Sequence, residues 1–515
     1  MTRRGTSPWF TPVALALGVA CGATQAAAQT TTVAIPEVMG PIPITATSTP
    51  LMASNKLQTL VDLPKAGYVE EEFFVSGRAN IYDWTADGGV TVKTPNAPYT
   101  TRILIRRPSN PQRFSGNVII EVPNAARKYD FNFVWGVSHD YFMENGDAFV
   151  VLTMAQGNLD GLKAYDATRY ASLSLANPTP EESCAVGRAG APPATSNTEE
   201  GLQYDMLAQV AALLKAGRAG GPLAGFTVQR AYLTAYDSVL PTYIAAVHPR
   251  VKLPNGRPIY DGYILNRQPA LGRLRRCGTT PAADDPRQII RNLDVPLLRI
   301  IGQTDIVATY AKRREDSDAP NDRYRLYEIA GGAHADAFFY PYIPTVADLR
   351  KIGSAYAFLA AWPFANQCEP EQLLAKVPIN TVALDAAFAN LTRWIKDGVA
   401  PPKAERISIE GAGTPQARVM LDKNGNAVGG YRTPYVDVPA ATYHVSSKGE
   451  TFCPELGRIE TFDWAKLNSL YNTPQNYATK VAQSADRLLK DRFLTESDAK
   501  KIKAESSSVT VNATR

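Results

Sequence analysis

Histidine is scarce in this chain, and so is cysteine. Its 515 residues include 4 His and 5 Cys, so a large metal cluster is not expected and any histidine chemistry must use one of four positions. No two cysteines form a Cys-x-x-Cys pair, which argues against zinc and redox motifs. We therefore predict neither a metal site nor a cofactor.

The chain also lacks a strong excess of either charge and a long apolar run. It has 54 Lys+Arg against 49 Asp+Glu, and no Lys/Arg-rich block accompanies that small excess, so nucleic acid is not an expected partner. No segment approaches the ~18 uninterrupted apolar residues of a membrane span, so stable membrane insertion is not expected. The remaining composition, 45% hydrophobic and 20% charged, is typical of a globular protein with a full core. It does not predict an oligomeric state.

The amino terminus predicts export. An Arg-Arg pair at 3–4 precedes an apolar run at 13–21 and three alanines at 26–28. This is the order of a basic region, a short apolar region and a small-residue cleavage site in a secretory signal. We expect residues 1–28 to be a signal peptide and the mature protein to be periplasmic or secreted. Cys21 leaves a lipoprotein open as the less favoured alternative.

Removal of such a signal leaves four cysteines in an oxidising compartment, namely Cys184, Cys277, Cys368 and Cys453. Four cysteines in an exported protein suggest two disulfides, with three possible pairings. We favour Cys184 with Cys277 and Cys368 with Cys453, while the other pairings and free buried thiols remain open.

Short apolar strands alternate with amphipathic helices through the middle of the chain. The strand candidates are residues 118–122, 148–152, 228–234, 259–264, 295–301 and 324–329. They are apolar on both faces, as in a parallel sheet that is covered on two sides. Helices are predicted after a capping box at Ser196–Glu199 and around residues 384–395. The pattern predicts an α/β fold with a mostly parallel central sheet flanked by helices.

Three stretches depart from this alternation. Residues 160–197 and 265–290 are loop-like, and we interpret them as cap-like insertions in a main domain of residues 29–402. Residues 403–515 are interpreted as a carboxyl-terminal extension. It contains a hairpin signal, Asn424-Gly425, between predicted strands at 418–421 and 431–436.

A histidine and an aspartate follow two of the predicted strands. His334 comes after strand 324–329 within Gly331-Gly332-Ala333-His334, and Asp305 comes after strand 295–301. Side chains at the carboxyl ends of parallel strands face a crevice, where imidazole can act as a base and a carboxylate can orient it. Their order along the chain suits an α/β-hydrolase. The simpler alternatives are a hydrogen-bonded loop histidine and a helix-capping aspartate.

The nucleophile of such an enzyme follows an earlier strand in a tight elbow, and residues 231–241 are the candidate segment. An elbow requires small residues two before and two after the nucleophile. Ser238 has Tyr236 and Leu240 at those positions, whereas Asp237 has smaller neighbours. The frequency of serine chemistry favours Ser238, and steric fit favours Asp237, which could form an ester intermediate with an alkyl carbon.

An oxyanion hole would need two backbone donors near this elbow. If Ser238 attacks, the N–H of Val239 is one candidate. The second should come from the loop after strand 118–122, where Pro123 has no N–H. That leaves Asn124 or Ala125 as the donor.

Several stretches together resemble an α/β-hydrolase-domain family of exported bacterial proteins. The similar stretches are residues 116–124, 166–173, 201–205, 243–248, 328–336, 393–402 and 429–434. The resemblance implies an α/β-hydrolase fold and hydrolysis of a carboxylic ester, without a settled substrate. The family elbow usually reads Gly-x-Ser-Gln-Ser/Thr, and here Asp237 stands at the serine position. Gln303 stands where the family often carries Glu, while Asp305 matches.

The function predicted from the sequence is a secreted carboxylic-ester hydrolase that acts on a small-molecule ester. Ser238, Asp305 and His334 would form the triad, with a covalent acyl-enzyme intermediate. One alternative is a hydrolase of the epoxide-hydrolase or dehalogenase type with Asp237 as nucleophile. The other alternative is a non-catalytic binding protein on the same fold.

Overall fold

A ten-stranded sheet organises the structure, which is a computed structural model. It describes residues 1–2, 30–124, 127–182, 184, 197–236, 239–267, 269–335, 342–357, 368, 373–374, 377–449 and 453–508. The strands are β1 (Thr31–Thr32), β2 (Glu37–Met39), β3 (Tyr68–Trp84), β4 (Val90–Pro108), β5 (Asn117–Val122), β6 (Ala148–Leu152), β7 (Arg230–Tyr236), β8 (Val251–Lys252), β9 (Gly262–Asn266), β10 (Leu297–Gly302), β11 (Ser317–Ala319), β12 (Asp322–Ile329), β13 (Leu373–Leu374), β14 (Ile409–Glu410), β15 (Arg418–Val419), β16 (Ala441–His444) and β17 (Arg458–Thr461).

Helices connect and flank these strands. They are α1 (Phe133–Asn145), α2 (Gln156–Tyr165), α3 (Leu202–Ala216), α4 (Leu240–Ala246), α5 (Ile306–Thr309), α6 (Val346–Lys351), α7 (Ile379–Asp397), α8 (Pro434–Asp437), α9 (Trp464–Tyr471), α10 (Pro474–Lys490) and α11 (Glu496–Ser508). Among them, α1 contacts β6 and β7, α3 contacts β3 and β7, and α7 contacts β9, β10 and β12.

The strand order of the large sheet is β11-β12-β10-β9-β7-β5-β6-β4-β3-β2. Its central part, from β12 to β6, is parallel, while β11, β4, β3 and β2 pair antiparallel at the two edges. Every residue of β5, β6 and β9 is buried. Burial on both faces explains why these strands read as continuous apolar runs. The predicted α/β-hydrolase architecture is therefore confirmed.

The predicted central strands agree with the structure to within a few residues. Strand 148–152 has the expected bounds, and strand 118–122 begins one residue earlier, at Asn117. The predicted strand 259–264 lies at Gly262–Asn266. That shift matters, because it makes residue 267 the first residue after a strand rather than part of a long loop.

Two local expectations were wrong. Ser196 of the predicted capping box lies outside the described residues, but helix α3 begins only at Leu202, where Gly201 is the cap and makes no side-chain hydrogen bond. The Glu199 carboxylate accepts hydrogen bonds from the N–H groups of Gly201 and Arg276. The chain does turn tightly at Asn424-Gly425, where Leu421 pairs with Ala427. However, the predicted second strand of that hairpin is not one, since residues 434–437 form α8.

Both favoured disulfides are confirmed. The Cys184–Cys277 and Cys368–Cys453 pairs have S–S distances of 2.03 Å each. The first bond joins the two predicted insertions, and Arg275 reinforces the link by donating to the Glu182 carboxylate. The described parts of the two insertions therefore contact one another.

Part of the region after residue 403 packs against the same apolar core as the sheet, while α10 and α11 pack with Val382 in a second, smaller apolar cluster. Ile407, Tyr431 and Leu456 are all buried in that core, and Tyr431 forms a β-bridge with Ile329 at the end of β12. We propose that the 403–515 extension is a structural part of the main domain rather than an appendage to it.

The amino-terminal segment that carries the predicted signal lies outside the described residues, from 3 to 29. In the part of the chain that is described, no helix is both long and apolar enough to cross a membrane.

The long hairpin of β3 and β4, which buries several charged side chains, was not predicted from the sequence. Arg102 donates from Nε to Glu72 at 2.6 Å and from Nη1 to Asp130 at 2.9 Å, and its side chain is 1% exposed. Its Nη2 donates to the carbonyl of Leu51. Burial of a guanidinium is tolerated only because each of these donors meets an acceptor.

We expect Arg102→Ala to lower the free energy of unfolding by ~3–5 kcal/mol, because it leaves the buried Asp130 carboxylate without its cation and leaves Glu72 with Arg169 alone. Arg107→Ala is the matched control on the same strand, since the Arg107–Glu71 pair is partly exposed, with 17% of the Arg107 side chain accessible. That change should cost about 1 kcal/mol or less. Urea unfolding followed by circular dichroism measures both, and equal losses would contradict this assignment.

Candidate active site

Four neighbouring parallel strands end at one edge of the sheet. Tyr236 at the end of β7 pairs with Asn266 at the end of β9. Gly302 at the end of β10 pairs with Ile329 at the end of β12. Asn266 also pairs with Ile300, so the loops that follow these strands start within two residues of one level, in the crevice where α/β folds place their ligands.

His334 and Asp305 meet in this crevice, as predicted from their strand-end positions. Asp305 ends a 3₁₀ turn, Gln303–Asp305, directly after β10. Its Oδ1 lies 3.2 Å from Nδ1 of His334, and the two side chains are 7% and 13% exposed. The other carboxylate oxygen, Oδ2, is buried and has no hydrogen-bond partner among the described residues.

The acid loop and the histidine loop are held together by their backbones. A Cβ on Gly302 would lie 2.8 Å from the carbonyl oxygen of Gly332, so only glycine permits this approach. The N–H of His334 donates to Thr304 Oγ1 at 3.0 Å. The N–H of Gly331 donates to Gln303 Oε1 at 2.8 Å. Gln303 thus links the two loops, and Asp305 is the carboxylate that contacts the imidazole.

Arg267 contacts both members of this pair. It is the first residue after β9 and has a left-handed backbone conformation, with φ at 64°, which is uncommon outside glycine. Its Nη2 donates to Asp305 Oδ1 at 2.5 Å, and its Nη1 lies 3.0 Å from His334 Nε2. Because a guanidinium can only donate, Nε2 must accept, and the proton of a neutral imidazole is on Nδ1. This is the tautomer that a general base requires.

The carboxyl-terminal region places a second charged group, the Glu455 carboxylate, close to the same nitrogen. Glu455 Oε2 lies 3.4 Å from His334 Nε2, and the Glu455 side chain is 46% exposed. The imidazole is therefore flanked by Asp305 at Nδ1 and by Arg267 and Glu455 at Nε2.

Tyr236 connects the end of β7 to the histidine loop. Its hydroxyl donates to the carbonyl oxygen of His334, and its ring packs edge-on against the imidazole at 5.4 Å. Phe133 stacks on the other side, with ring centroids 4.2 Å apart. A cavity of about 20 Å³, room for about one water molecule, lies among these groups. It is lined by Phe133, Tyr236, Asn266, Arg267, Ile300, Gly302, Asp305, Ile329, Ala333, His334, Asn380 and Leu384.

Both candidate nucleophiles, Asp237 and Ser238, lie outside the described residues. The segments on either side are described: β7 ends at Tyr236, and α4 begins at Leu240. The strand and the helix are thus separated by three residues, as an elbow requires. Since Tyr236 contacts His334, the described end of β7 reaches the histidine loop.

The predicted oxyanion donors are only partly described. Val239 is the residue that caps α4, so its N–H belongs to the first turn after the elbow. The N–H of Asn124 donates to the carbonyl of Phe131 at 3.2 Å and is therefore engaged here. Ala125 lies outside the described residues.

A buried carboxyl group fixes the position of the loop after β5. Glu121 accepts from the N–H of Val134 at 2.9 Å and from that of Trp135 at 3.3 Å, at the start of α1. Burial raises the pKa of Glu121 to about 8. Through these contacts, Glu121 joins the end of β5 to the start of α1, between which the candidate oxyanion loop runs.

A second His–Asp pair lies at the opposite side of the sheet, near the amino-terminal ends of β9 and β10. His248 Nε2 is 2.5 Å from Asp294 Oδ1, and its Nδ1 is 2.7 Å from the Tyr263 hydroxyl. Burial lowers the pKa of His248. Asp294 precedes β10 instead of following it, and both ring nitrogens are engaged, so this pair is a structural clamp beside a surface groove of about 780 Å³.

No group of three or more His, Cys, Asp or Glu side chains in the described ranges is arranged to hold a metal ion.

A sequence model of the alpha/beta hydrolase domain family matches residues 38–504. The chain belongs to this family. The match includes most of the carboxyl-terminal extension, which agrees with its packing against the common core. No curated protein sequence matches the chain significantly.

Several solved structures are similar to parts of this chain at low identity. Esterase Est22 is 11% identical, with 58% of this chain and 82% of that chain covered and a TM-score of 0.29. Esterase B from Lactobacillus rhamnosis is 14% identical, with 54% and 80% covered and a TM-score of 0.28. A prolyl endopeptidase is 9% identical, with 57% and 38% covered and a TM-score of 0.25.

Sequence reasoning missed three residues of this site. Arg267 was assigned to a loop because the predicted strand ended two residues too early, and the strand-end rule that found His334 would otherwise have found it. Tyr236 was considered only because its side chain is too large for the position two residues before Ser238 in an elbow. Glu455 has no sequence signal, because its place depends on how the carboxyl-terminal region folds back.

We expect Gly302→Ala to lower kcat for hydrolysis by about 100-fold, because the added methyl displaces the histidine loop from the acid loop. Gly272→Ala is the matched control, since its Cβ would meet no atom closer than 3.7 Å. Turnover of p-nitrophenyl butyrate and the melting temperature of both variants should be compared. If the two variants retained equal turnover, the close approach at Gly302 would have no catalytic importance.

Proposed function

We propose that the protein is an exported carboxylic-ester hydrolase in which His334 is the general base and Asp305 orients it. The observation that carries this proposal is the Asp305–His334 contact at 3.2 Å beside the end of β7. The hydrogen-bond pattern leaves the proton on Nδ1, so that Nε2 is the basic nitrogen. Membership of the α/β-hydrolase family supports hydrolytic chemistry.

In the proposed reaction, Ser238 Oγ attacks the ester carbonyl carbon while its proton passes to His334 Nε2. The resulting imidazolium is stabilised by Asp305 and returns this proton to the departing alkoxide, which leaves as an alcohol. Water then attacks the acyl-enzyme while Nε2 accepts a proton from it, and the imidazolium returns this proton to Ser238 Oγ as the bond to the acyl group breaks and the carboxylic acid is released. Backbone N–H groups near Val239 and in the loop after β5 would hold the oxyanion.

This reaction requires Arg267 to release Nε2. In the structure the lone pair of Nε2 already accepts from Arg267 Nη1, so it cannot accept a proton from a nucleophile in the same arrangement. Arg267 would keep its bond to Asp305 Oδ1, and only the Nη1 contact needs to open. We therefore assign the described arrangement to the resting enzyme.

The proposed compartment is extracellular or periplasmic. Two disulfides are typical of proteins from oxidising compartments. They agree with the signal peptide predicted at residues 1–28, and the proposed substrate is a small-molecule ester.

One observation favours Asp237 as an alternative nucleophile. The position two before Ser238 is occupied by Tyr236, a buried side chain fixed by Phe133 and His334, whereas an elbow requires a small residue there. An Asp237 nucleophile would instead have Ala235 at that position. Such an enzyme would displace a leaving group from an alkyl carbon and then hydrolyse the aspartyl ester.

We expect His334→Ala to lower kcat on p-nitrophenyl butyrate by about 10⁴-fold, because no group would then accept the nucleophile's proton. His444→Ala is the matched control, since His444 pairs with the exposed Glu460, and it should retain full activity. Full turnover by the His334 variant would rule out the proposed base. No turnover by the wild-type protein on any ester or alkyl halide tested would favour a binding protein.

A labelling experiment distinguishes the two nucleophiles. With serine chemistry, a fluorophosphonate should modify Ser238, and Ser238→Ala should abolish both the adduct and turnover, while Asp237→Asn should keep the adduct. With aspartate chemistry, a single turnover in H₂¹⁸O should place the label in the Asp237 carboxylate. Peptide mass spectrometry detects either product.

A further inference from the structure

We propose that residues 445–449 and 453–457 of the carboxyl-terminal region form a functional wall of the active site, in which Glu455 sets the charge that faces His334 Nε2 and the Cys368–Cys453 disulfide holds Glu455 in place. This inference rests on the proposed role of His334 as the base. It assigns to Glu455 a positioning role, exerted on the imidazole.

The backbone of this segment is hydrogen-bonded to Ala335, the residue that follows His334. The N–H of Ala335 donates to the carbonyl of Glu455 at 3.0 Å, and the N–H of Gly457 donates to the carbonyl of Ala335 at 3.2 Å. These two bonds form a parallel bridge between Ala335 and Leu456. Glu455 is thereby held beside the imidazole by main-chain contacts as well as by its own side chain.

The same segment also reaches the acid loop. Thr304 Oγ1 donates to the carbonyl of Val445 at 2.9 Å while it accepts from the N–H of His334 at 3.0 Å. One hydroxyl thus connects the acid loop, the histidine loop and the carboxyl-terminal segment. A displacement of residues 445–449 and 453–457 would therefore disturb both the acid loop and the histidine loop.

The disulfide fixes the turn that presents Glu455. Cys453 is fully buried, and its carbonyl accepts from the N–H groups of Ser447 and Leu456, both at 3.0 Å. Cys368 pairs with Gly449 in a β-bridge, and β17 pairs with β13 on one side and β16 on the other. The bond between Cys368 and Cys453 therefore ties the turn to a separate part of the chain.

Glu455 and Arg267 act in opposite directions on the protonation of Nε2. In the resting arrangement Glu455 Oε2 lies 3.4 Å and Arg267 Nη1 lies 3.0 Å from Nε2. When Nε2 receives the nucleophile's proton and the Nη1 contact has opened, the imidazolium is attracted by the nearby Glu455 carboxylate and repelled by the guanidinium of Arg267, which stays bound to Asp305. Asp305 acts at Nδ1, and the Tyr236 hydroxyl binds the main chain of His334. Among the described residues, these are the charged and titratable groups in contact with His334.

The pH profile of kcat/KM tests this arrangement. The acidic limb marks protonation of the free base, so removal of the carboxylate in Glu455→Gln should move its midpoint down by about half a pH unit, as for a partly exposed ion pair. Arg267→Gln should move the midpoint up, because a repelling cation is lost. Glu455→Asp should restore part of the shift, whereas a merely structural residue would lower kcat without moving the limb.

The role of the Cys368–Cys453 disulfide is tested by comparison with the Cys184–Cys277 disulfide. The double change of Cys368 and Cys453 to Ser should shift the limb in the same direction as Glu455→Gln, and adding Glu455→Gln to it should give little further shift. The same change at Cys184 and Cys277 should leave the midpoint in place, although it also removes one disulfide. Additive shifts, or equal shifts for both pairs, would overturn the role assigned to the Cys368–Cys453 bond.

The outcome separates this inference from the proposed function. If wild-type turnover does not depend on His334, the proposed function fails. If turnover depends on His334 but Glu455→Gln leaves the limb unmoved, only the assignment of Glu455 fails.

Discussion

The parallel register of β7, β9, β10 and β12 is the constraint on which the candidate site depends. Because Gly302 pairs with Ile329, the loops after β10 and β12 leave the sheet side by side. Their backbones then approach so closely that a side chain at Gly302 would collide with the histidine loop. Under this constraint the Asp305–His334 contact is a consequence of strand pairing, and the side chains need only adopt ordinary conformations to make it.

Strand-end polar residues could be predicted from the sequence because their signal is local. An apolar run that ends in a loop with His334 or Asp305 predicts both the strand and the edge at which the side chain emerges. Arg267 belongs to the same class of signal, and it was lost only through an error of two residues in the end of β9. For this protein, therefore, the accuracy of strand boundaries limited the prediction of site residues more than the assignment of strands did.

Other features could not be predicted because their partners are distant in the chain. In the sequence, the polar residues of β3 and β4 are typical of a solvated surface. In the structure, Arg102 is buried and donates to both Glu72 and Asp130. Glu455 likewise acquires its place only when the carboxyl-terminal segment folds back onto the histidine loop. In both cases a charged side chain is explained by a tertiary contact that no local pattern encodes.

Tyr236 shows how a departure from an elbow pattern can acquire a structural purpose. An elbow requires a small residue two positions before the nucleophile, because the turn is tight. If Ser238 is the nucleophile, the large side chain of Tyr236 occupies that position. Yet its hydroxyl donates to the carbonyl of His334 and its ring lies between Phe133 and the imidazole. No glycine could make these contacts, so the end of β7 and the histidine loop are coupled by the very residue that crowds the elbow. The two candidate nucleophiles therefore place different demands on the turn. If Ser238 is the nucleophile, Tyr236 stands two residues before it and the turn has to accommodate a large side chain at that position. If Asp237 is the nucleophile, that position is occupied by Ala235, and Tyr236 stands one residue later.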